Sequence, residues 1–124
     1  MPRSRSEARR AGAKFELAVR KVLEDKGYVV CKWHNQVDME NNCIVPAKNK
    51  FSFGRALSVN FGFPDFIAFK KDERLIIGVE AKMRGYLKPV EKEKMKWYKF
   101  NGVFESVWVA YESNDGSILF RELF

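Results

Sequence analysis

Two short apolar runs, residues 63–69 (FPDFIAF) and 75–82 (LIIGVEAK), flank the polar link Lys70-Lys71-Asp72-Glu73-Arg74. Apolar residues occupy both alternating faces of each run, which predicts a central β-hairpin buried on both sides of a sheet. A turn centred between Asp72 and Glu73 pairs residues whose numbers sum to 145, setting Asp65 opposite Glu80. Directly opposed side chains have Cβ atoms about 4.5–5.5 Å apart. Two carboxylates held that close among apolar neighbours repel unless a cation or a proton lies between them. Lys82 follows Glu80 by two residues, so the alternation of a strand aims its ammonium at the same face.

The remaining elements form a sheet around this hairpin. Residues 1–6 read as a basic arm, and Ser6 with Glu7 opens a predicted helix that runs to about Lys26, with Gly27 as its stop. Phe15, Val19, Val22 and Leu23 recur on it at helical spacing, and Gly12 is expected to let another element approach closely. Glu16 falls at the margin of that apolar stripe, where a carboxylate needs a reason. Residues 28–33 (YVVCKW) have the β-branched and aromatic content of a strand. Residues 34–62 show no strong periodicity and predict a long insertion loop. A second helix starts at Pro89 and runs to about Asn101, with Val90, Lys94, Trp97, Tyr98 and Asn101 on one face and Glu91 at its border. Residues 106–111 and 117–123 predict two more strands around the turn Ser113-Asn114-Asp115-Gly116. The order is helix, three strands, helix, two strands: a mixed α/β sheet with helices packed on it.

With 124 residues, 46% of them hydrophobic, the chain has the material for one domain with a real core. No apolar stretch nears the roughly 20 residues of a membrane span, and the basic start lacks the apolar region of a secretory signal. Cys31 and Cys43 are too few for a disulfide scaffold. The expectation is a soluble, intracellular, cytoplasmic protein without a membrane partner. The net charge is +7, and residues 1–33 carry nine Lys/Arg against four Asp/Glu. Such a surplus favours a polyanionic partner, nucleic acid first, although solubility alone also accounts for it.

Carboxylate ligands suit Mg²⁺ or Mn²⁺, which keep several waters and share them with phosphate oxygens. A divalent ion beside Asp65 and Glu80 acidifies a water and offsets the charge on a phosphate under attack. Lys82 then orients that water or stabilises the transition state, and Glu16 becomes a third carboxylate delivered from the helix. The plainer alternative is a buried ion cluster that is merely neutralised.

Phe63-Pro64-Asp65, fourteen intervening residues and Glu80-Ala81-Lys82 resemble the PD-(D/E)xK nuclease signature, with Glu16 matching the acid of its first helix. Within that superfamily, Gly62-Phe63-Pro64-Asp65-Phe66-Ile67, Val79-Glu80-Ala81-Lys82 and Gly85-Tyr86-Leu87-Lys88-Pro89-Val90-Glu91-Lys92 are similar to the virus-type replication-repair nuclease (VRR-NUC) domain. Glu91 stands where that family usually has Gln, and Lys32-Trp33-His34-Asn35 looks like the Lys-x-His stretch of its phage members. Archaeal Holliday junction resolvases share the core but typically carry Arg at the position of Leu17 and Ser at that of Trp33. The resemblance covers roughly residues 12–112 and leaves 34–62 unmatched.

It implies a restriction-endonuclease-like α/β core with a central mixed β-sheet flanked by helices, in the order αβββαββ. It also implies structure-selective, Mg²⁺-dependent hydrolysis of DNA phosphodiesters, with Mn²⁺ as a substitute and a homodimer acting on branched or flapped DNA. Carried over residue by residue, Glu16, Asp65 and Glu80 bind metal, Ala81 lends its carbonyl, Lys82 assists the attacking water and Glu91 supports the site from the second helix. The other readings are a restriction-like or end-processing nuclease, and a DNA-binding module that keeps the fold without cleaving. Retention of all the acids together with Lys82 disfavours the last.

Expected DNA contacts are Arg9 and Arg10 on the first helix, Lys32 and His34 around the end of the first strand, and Lys48, Lys50 and Arg55 in the insertion. There the segment Pro46-Ala47-Lys48-Asn49-Lys50-Phe51-Ser52-Phe53-Gly54-Arg55 interleaves bases with aromatics, a pattern suited to phosphate contact and base stacking, or to aromatic anchoring of the loop on the core. Cys31, His34 and Cys43 supply only three irregularly spaced soft ligands, where structural zinc sites close with four. Lys92, Lys94, Lys96 and Lys99 read mostly as a solvated face, with Lys94 directed toward the site, and Trp33, Trp97 and Trp108 read as core or interface bulk.

Overall fold

Ser4 starts the first helix two residues earlier than expected. Its hydroxyl accepts the Glu7 N–H at 3.2 Å, and the Glu7 carboxylate accepts the Ser4 N–H at 3.3 Å, a reciprocal cap that draws Arg5 and Ser6 out of the basic arm. The computed structural model describes residues 4–47, 49–52, 55–59 and 62–124, with 49–52 and 55–59 described by backbone alone. Helix α1 (Arg5–Asp25) buries Phe15, Val19 and Leu23, one per turn. It ends where Gly27, at φ +96°, turns the chain and the N–H groups of Gly27 and Tyr28 return to the carbonyls of Glu24 and Leu23. Gly12 is exposed, and a Cβ added there meets nothing within 4 Å, so the expected close approach does not occur.

Strand β1 (Val29–Lys32) enters a five-stranded sheet with β6 (Phe66–Phe69), β7 (Ile76–Ala81), β8 (Ser106–Glu112) and β9 (Ile118–Leu123), in that spatial order. All neighbours are antiparallel except β7 and β8, which run parallel across the connection through α2 (Pro89–Phe100). The β6–β7 register pairs Phe66 with Val79 and Ile67 with Gly78, the register expected from the sequence. Extended by one residue, it sets Asp65 against Glu80 at the end of the ladder.

Two apolar clusters cover the sheet. One joins Phe15, Val19 and Leu23 of α1 to Val30, Phe66, Ala68, Ile77 and Val79; the other joins Met95 and Tyr98 of α2 to Phe63, Phe104, Val107 and Val109. The buried stripe of α2 therefore runs through Met95 and Tyr98, and Glu91 lies one turn before Met95 on the same stripe. Val90 is exposed, contrary to the face expected from the sequence. Gly78 has to be bare, because a Cβ there would lie 2.6 Å from the buried ring of Phe104.

Segment 34–62, expected as an insertion loop, includes strands among its described residues. It contains two antiparallel hairpins, β2 (Asn35–Asp38) with β3 (Cys43–Pro46) and β4 (Asn49–Ser52) with β5 (Arg55–Val59). Asp38 closes the first by accepting the N–H groups of Glu40 and Asn41, each at 3.1 Å, and Asn42 takes φ +55°. Val37 is buried in the α2-side cluster, while Lys94 donates to Gln36 at 3.0 Å and Trp97 Nε1 donates to Asn42, which docks the hairpin on α2. The chain then returns to where it left, with the Phe63 N–H bonded to the Asn35 carbonyl at 2.8 Å. Among the described residues no helix is long and apolar enough to cross a membrane.

Candidate active site

The end of the β6–β7 ladder is closed by side chains. Asp65 donates its backbone N–H to Glu80 Oε1 at 3.0 Å, and the Ala81 N–H donates to Asp65 Oδ2 at 2.9 Å. Each carboxylate thus caps the other residue's strand, and both are buried, at 8% and 5% exposure. Lys82 reaches Glu80 Oε2 at 3.3 Å and Glu91 Oε2 at 2.8 Å. The second oxygen of Glu91 accepts the Lys88 N–H at 2.8 Å, so one side chain both caps the start of α2 and fixes Lys82. On the other side Lys32 approaches Glu16 at 3.4 Å and Asp65 Oδ1 at 4.0 Å.

Glu16, Asp65, Glu80, Ala81, Lys82 and Glu91, drawn from three elements and two strand ends, therefore meet in one place. With every group ionised, four carboxylates face two ammonium groups, leaving two negative charges uncompensated. Burial, and then the charge of Asp65, push the Glu80 carboxyl well above the usual carboxylate range, against the pull of Lys82. Burial and Asp65 likewise raise Glu16, against Lys32. Burial pulls the Lys82 ammonium down, but the hydrogen bond to Glu91 and the charge of Glu80 outweigh it, and the net shift is upward.

This donor set is all oxygen and short of positive charge, which in chemical type fits a hard divalent cation. Among the described residues, however, no three His, Cys, Asp or Glu side chains lie together ready to enclose a metal ion. The oxygens that would turn toward one are engaged by Lys32, Lys82 and backbone N–H groups instead.

The expected DNA contacts are dispersed. Arg9 and Arg10 are exposed on α1, and Arg9 lines a cavity of about 300 Å³ with Gly12, Ala13, Glu16 and Lys32. His34 is exposed between β1 and β2, and its carbonyl accepts the Ala47 N–H. Lys48 and the side chains of Lys50, Phe51, Phe53 and Arg55 lie outside the described residues. Cys31 and Cys43 are free and exposed.

Two features escaped the sequence reading. Lys32 sits among the acids because β1 pairs with β6, placing it against Phe66, next to Asp65, and no local pattern discloses that pairing. Trp33 and Tyr98, read as bulk and as one face of α2, form a relay: Trp33 Nε1 donates to the Tyr98 hydroxyl at 3.0 Å, and the hydroxyl donates to the Phe63 carbonyl at 2.5 Å, two residues before Asp65. Burial raises the Tyr98 phenol to about 12, so it remains a donor throughout the neutral range. Tyr98→Phe strands the buried Phe63 carbonyl and the half-buried Trp33 N–H and is expected to cost about 1–3 kcal/mol of stability, read as a lowered urea midpoint. An unchanged midpoint would mean that the relay holds nothing in place.

No family model matches the chain, and no curated protein matches it. Among solved structures it is similar to Hjc, a Holliday junction resolvase of the archaeal hyperthermophile Archaeoglobus fulgidus, at 18% identity and a TM-score of 0.56. The match covers 90% of this chain and 72% of that one. The chain has the restriction-endonuclease-like fold. The fold implied by the PD-(D/E)xK resemblance is thus the fold observed, and the strand pairs β2–β3 and β4–β5 lie between β1 and β6 in the chain.

Proposed function

We propose that this protein is a metal-dependent endonuclease that hydrolyses DNA phosphodiester bonds in branched or otherwise structured DNA and acts as a homodimer. The observation that carries the reading is the mutual capping of Asp65 and Glu80. It fixes two buried acids at one strand end beside a lysine, an arrangement costly to maintain for packing alone. The Hjc likeness supports the choice of structured DNA as substrate, and the basic surplus of residues 1–33 supports a polyanionic one.

Glu16, Asp65, Glu80 and the Ala81 carbonyl would hold Mg²⁺, with Mn²⁺ as a substitute. The bound ion would lower the pKa of a water and offset charge on the phosphate under attack. Lys82 stays protonated near neutrality, because Glu91 and Glu80 outweigh its burial, and serves as a fixed positive charge that orients the attacking water. Glu91 keeps that ammonium in place from the first turn of α2. Arg9, Arg10, His34, Lys48, Lys50 and Arg55 remain the proposed DNA contacts, whereas Lys32, expected among them, faces Glu16 and Asp65.

The test is incubation with four-way junction, flap, single-stranded and linear duplex DNA in Mg²⁺ or in EDTA. Junction or flap DNA is expected to be cut in Mg²⁺ and nothing in EDTA. Failure to cut any of the four in either Mg²⁺ or Mn²⁺ overturns the reading.

A further inference from the structure

The segment that joins β7 to α2, residues 82–88, is fastened along its length. At its start the Lys82 N–H bonds the Ala110 carbonyl at 2.9 Å, and the Gly85 N–H returns to the Lys82 carbonyl at 2.7 Å. Its middle is tied to β8 and β9: the Met83 carbonyl accepts the Glu112 N–H at 3.0 Å, and the Gly85 carbonyl accepts from Arg121 Nη2 at 2.6 Å. At its end Leu87 is buried, and the Lys88 N–H goes to the same Glu91 carboxylate that holds Lys82. Arg84, Tyr86 and Lys88 nevertheless face solvent, while Gly85 and Leu87 between them are buried. Tyr86 is 80% exposed, more than any other large apolar side chain among the described residues. A ring that exposed gains little from burial, and a backbone that firmly held presents it at one fixed place beside the acids and Lys82.

We propose that Tyr86 is a stacking platform for an unpaired base of the DNA substrate, with Arg84 and Lys88 on the phosphates to either side of it. The inference rests on the nuclease reading given above and names the feature of structured DNA that the site selects. An aromatic face stacks on any base, but only on one that is out of the duplex, and cations flanking the ring suit the backbone on each side of that base. Two residues separate Tyr86 from Lys88, a span of at most about 7 Å, and the Lys88 N–H and the Lys82 ammonium share one carboxylate. A base seated on Tyr86 therefore belongs to a nucleotide neighbouring the phosphate under attack. A fully paired duplex has no such base to offer, so the ring favours flaps and junctions over linear DNA.

The experiment is binding of the full chain, in EDTA, to a flapped duplex and to a fully paired duplex of the same length, for wild type, Tyr86→Phe and Tyr86→Ala, with 2-aminopurine at the first unpaired position of the flap. Loss of one stacked base is expected to weaken flap binding about tenfold in Tyr86→Ala and to leave duplex binding within about twofold, whereas Tyr86→Phe keeps the ring and binds both DNAs within about twofold of wild type. At saturation the 2-aminopurine fluorescence is expected to be quenched by wild type and Tyr86→Phe and not by Tyr86→Ala. The exposed ring can be removed without unfolding the chain, so the urea midpoint of Tyr86→Ala should match that of wild type. Flap binding by Tyr86→Ala at the wild-type affinity, or an equal loss on both DNAs, overturns the stacking and leaves the nuclease reading standing. A wild type that binds neither DNA overturns the nuclease reading itself, and the stacking falls with it.

Discussion

Asp65→Asn is expected to slow cleavage of junction DNA in Mg²⁺ by at least about a thousandfold, roughly 4 kcal/mol of transition-state stabilisation, while leaving the fold and DNA binding intact. The amide is nearly isosteric, and its oxygen can still accept the Ala81 N–H that Asp65 Oδ2 accepts. What disappears is the charge. Asp65 is the neighbour whose charge raises both Glu16 and Glu80, so removing it relieves two repulsions at once. The urea midpoint of the variant at neutral pH should therefore equal or exceed that of wild type even though the activity is gone, the signature of a site that gives up stability for function. DNA affinity, read by gel shift in EDTA, should hold or rise, since a negative charge has been removed from the surface that faces phosphate. Cleavage at the wild-type rate would remove Asp65 from the chemistry. A variant that fails to fold would recast the acids as a structural ion cluster.

The same shifts set how the metal-free protein responds to acid. Glu16 and Glu80 have folded-state pKa values above the unfolded value near 4.5, so both bind a proton more tightly when folded. Their contribution to stability is fully present below that value and is lost as pH rises through the raised ones. The site is therefore under most strain at neutral pH without metal, the condition in which a divalent cation would relieve it most.

How much of this was legible in the sequence depends on how local each signal is. The central hairpin and its register came from a polar link of five residues between two apolar runs, and Phe66 opposite Val79 fulfils them. The ends of α1 and α2 followed from Gly27 and Pro89, but Ser4 rather than Ser6 caps α1, because the reciprocal partner, Glu7, lies three residues beyond Ser4. Hairpin β2–β3 stayed hidden because strands of four residues are too short to show alternation, and only its turn, Asp38 to Asn42, carries a recognisable signal. The position of Glu91 shows the same limit on a helix. Val90 is the more apolar choice for the inner face, yet α2 is rotated so that Glu91, Met95 and Tyr98 point inward, since Lys82 supplies the charge that lets an acid do so. Lys32 and the Trp33–Tyr98 relay depend on pairings between elements distant in the chain, which no window of sequence contains.

Lys82→Met separates the structural from the chemical meaning of the site. In the wild type the Lys82 ammonium is shared by Glu80, whose side chain is 7% exposed, and Glu91, at 15%. Deleting it leaves a buried carboxylate beside Asp65 without its nearest counter-charge, expected to cost about 3 kcal/mol at pH 7, the lower end for a broken buried pair because Lys82 itself is partly solvated. The variant can escape by protonating Glu80. With Lys82 gone, the one strong pull downward on that carboxyl is lost and its pKa rises further. A raised acid contributes its stability below the unfolded value near 4.5 and loses it as pH rises, so the gap in urea midpoint between variant and wild type should be widest at pH 7 and close toward pH 5. Adding Glu80→Gln removes the charge that needed compensation while keeping an oxygen for the Asp65 N–H, and should recover most of the lost stability at pH 7. Cleavage should not return. Both variants are expected to remain at least about a hundredfold below wild type, because the fixed positive charge beside the attacked phosphate is still missing. A double variant that regains activity along with stability would reduce Lys82 to the counter-ion of Glu80 and leave the hydrolysis without its basic residue.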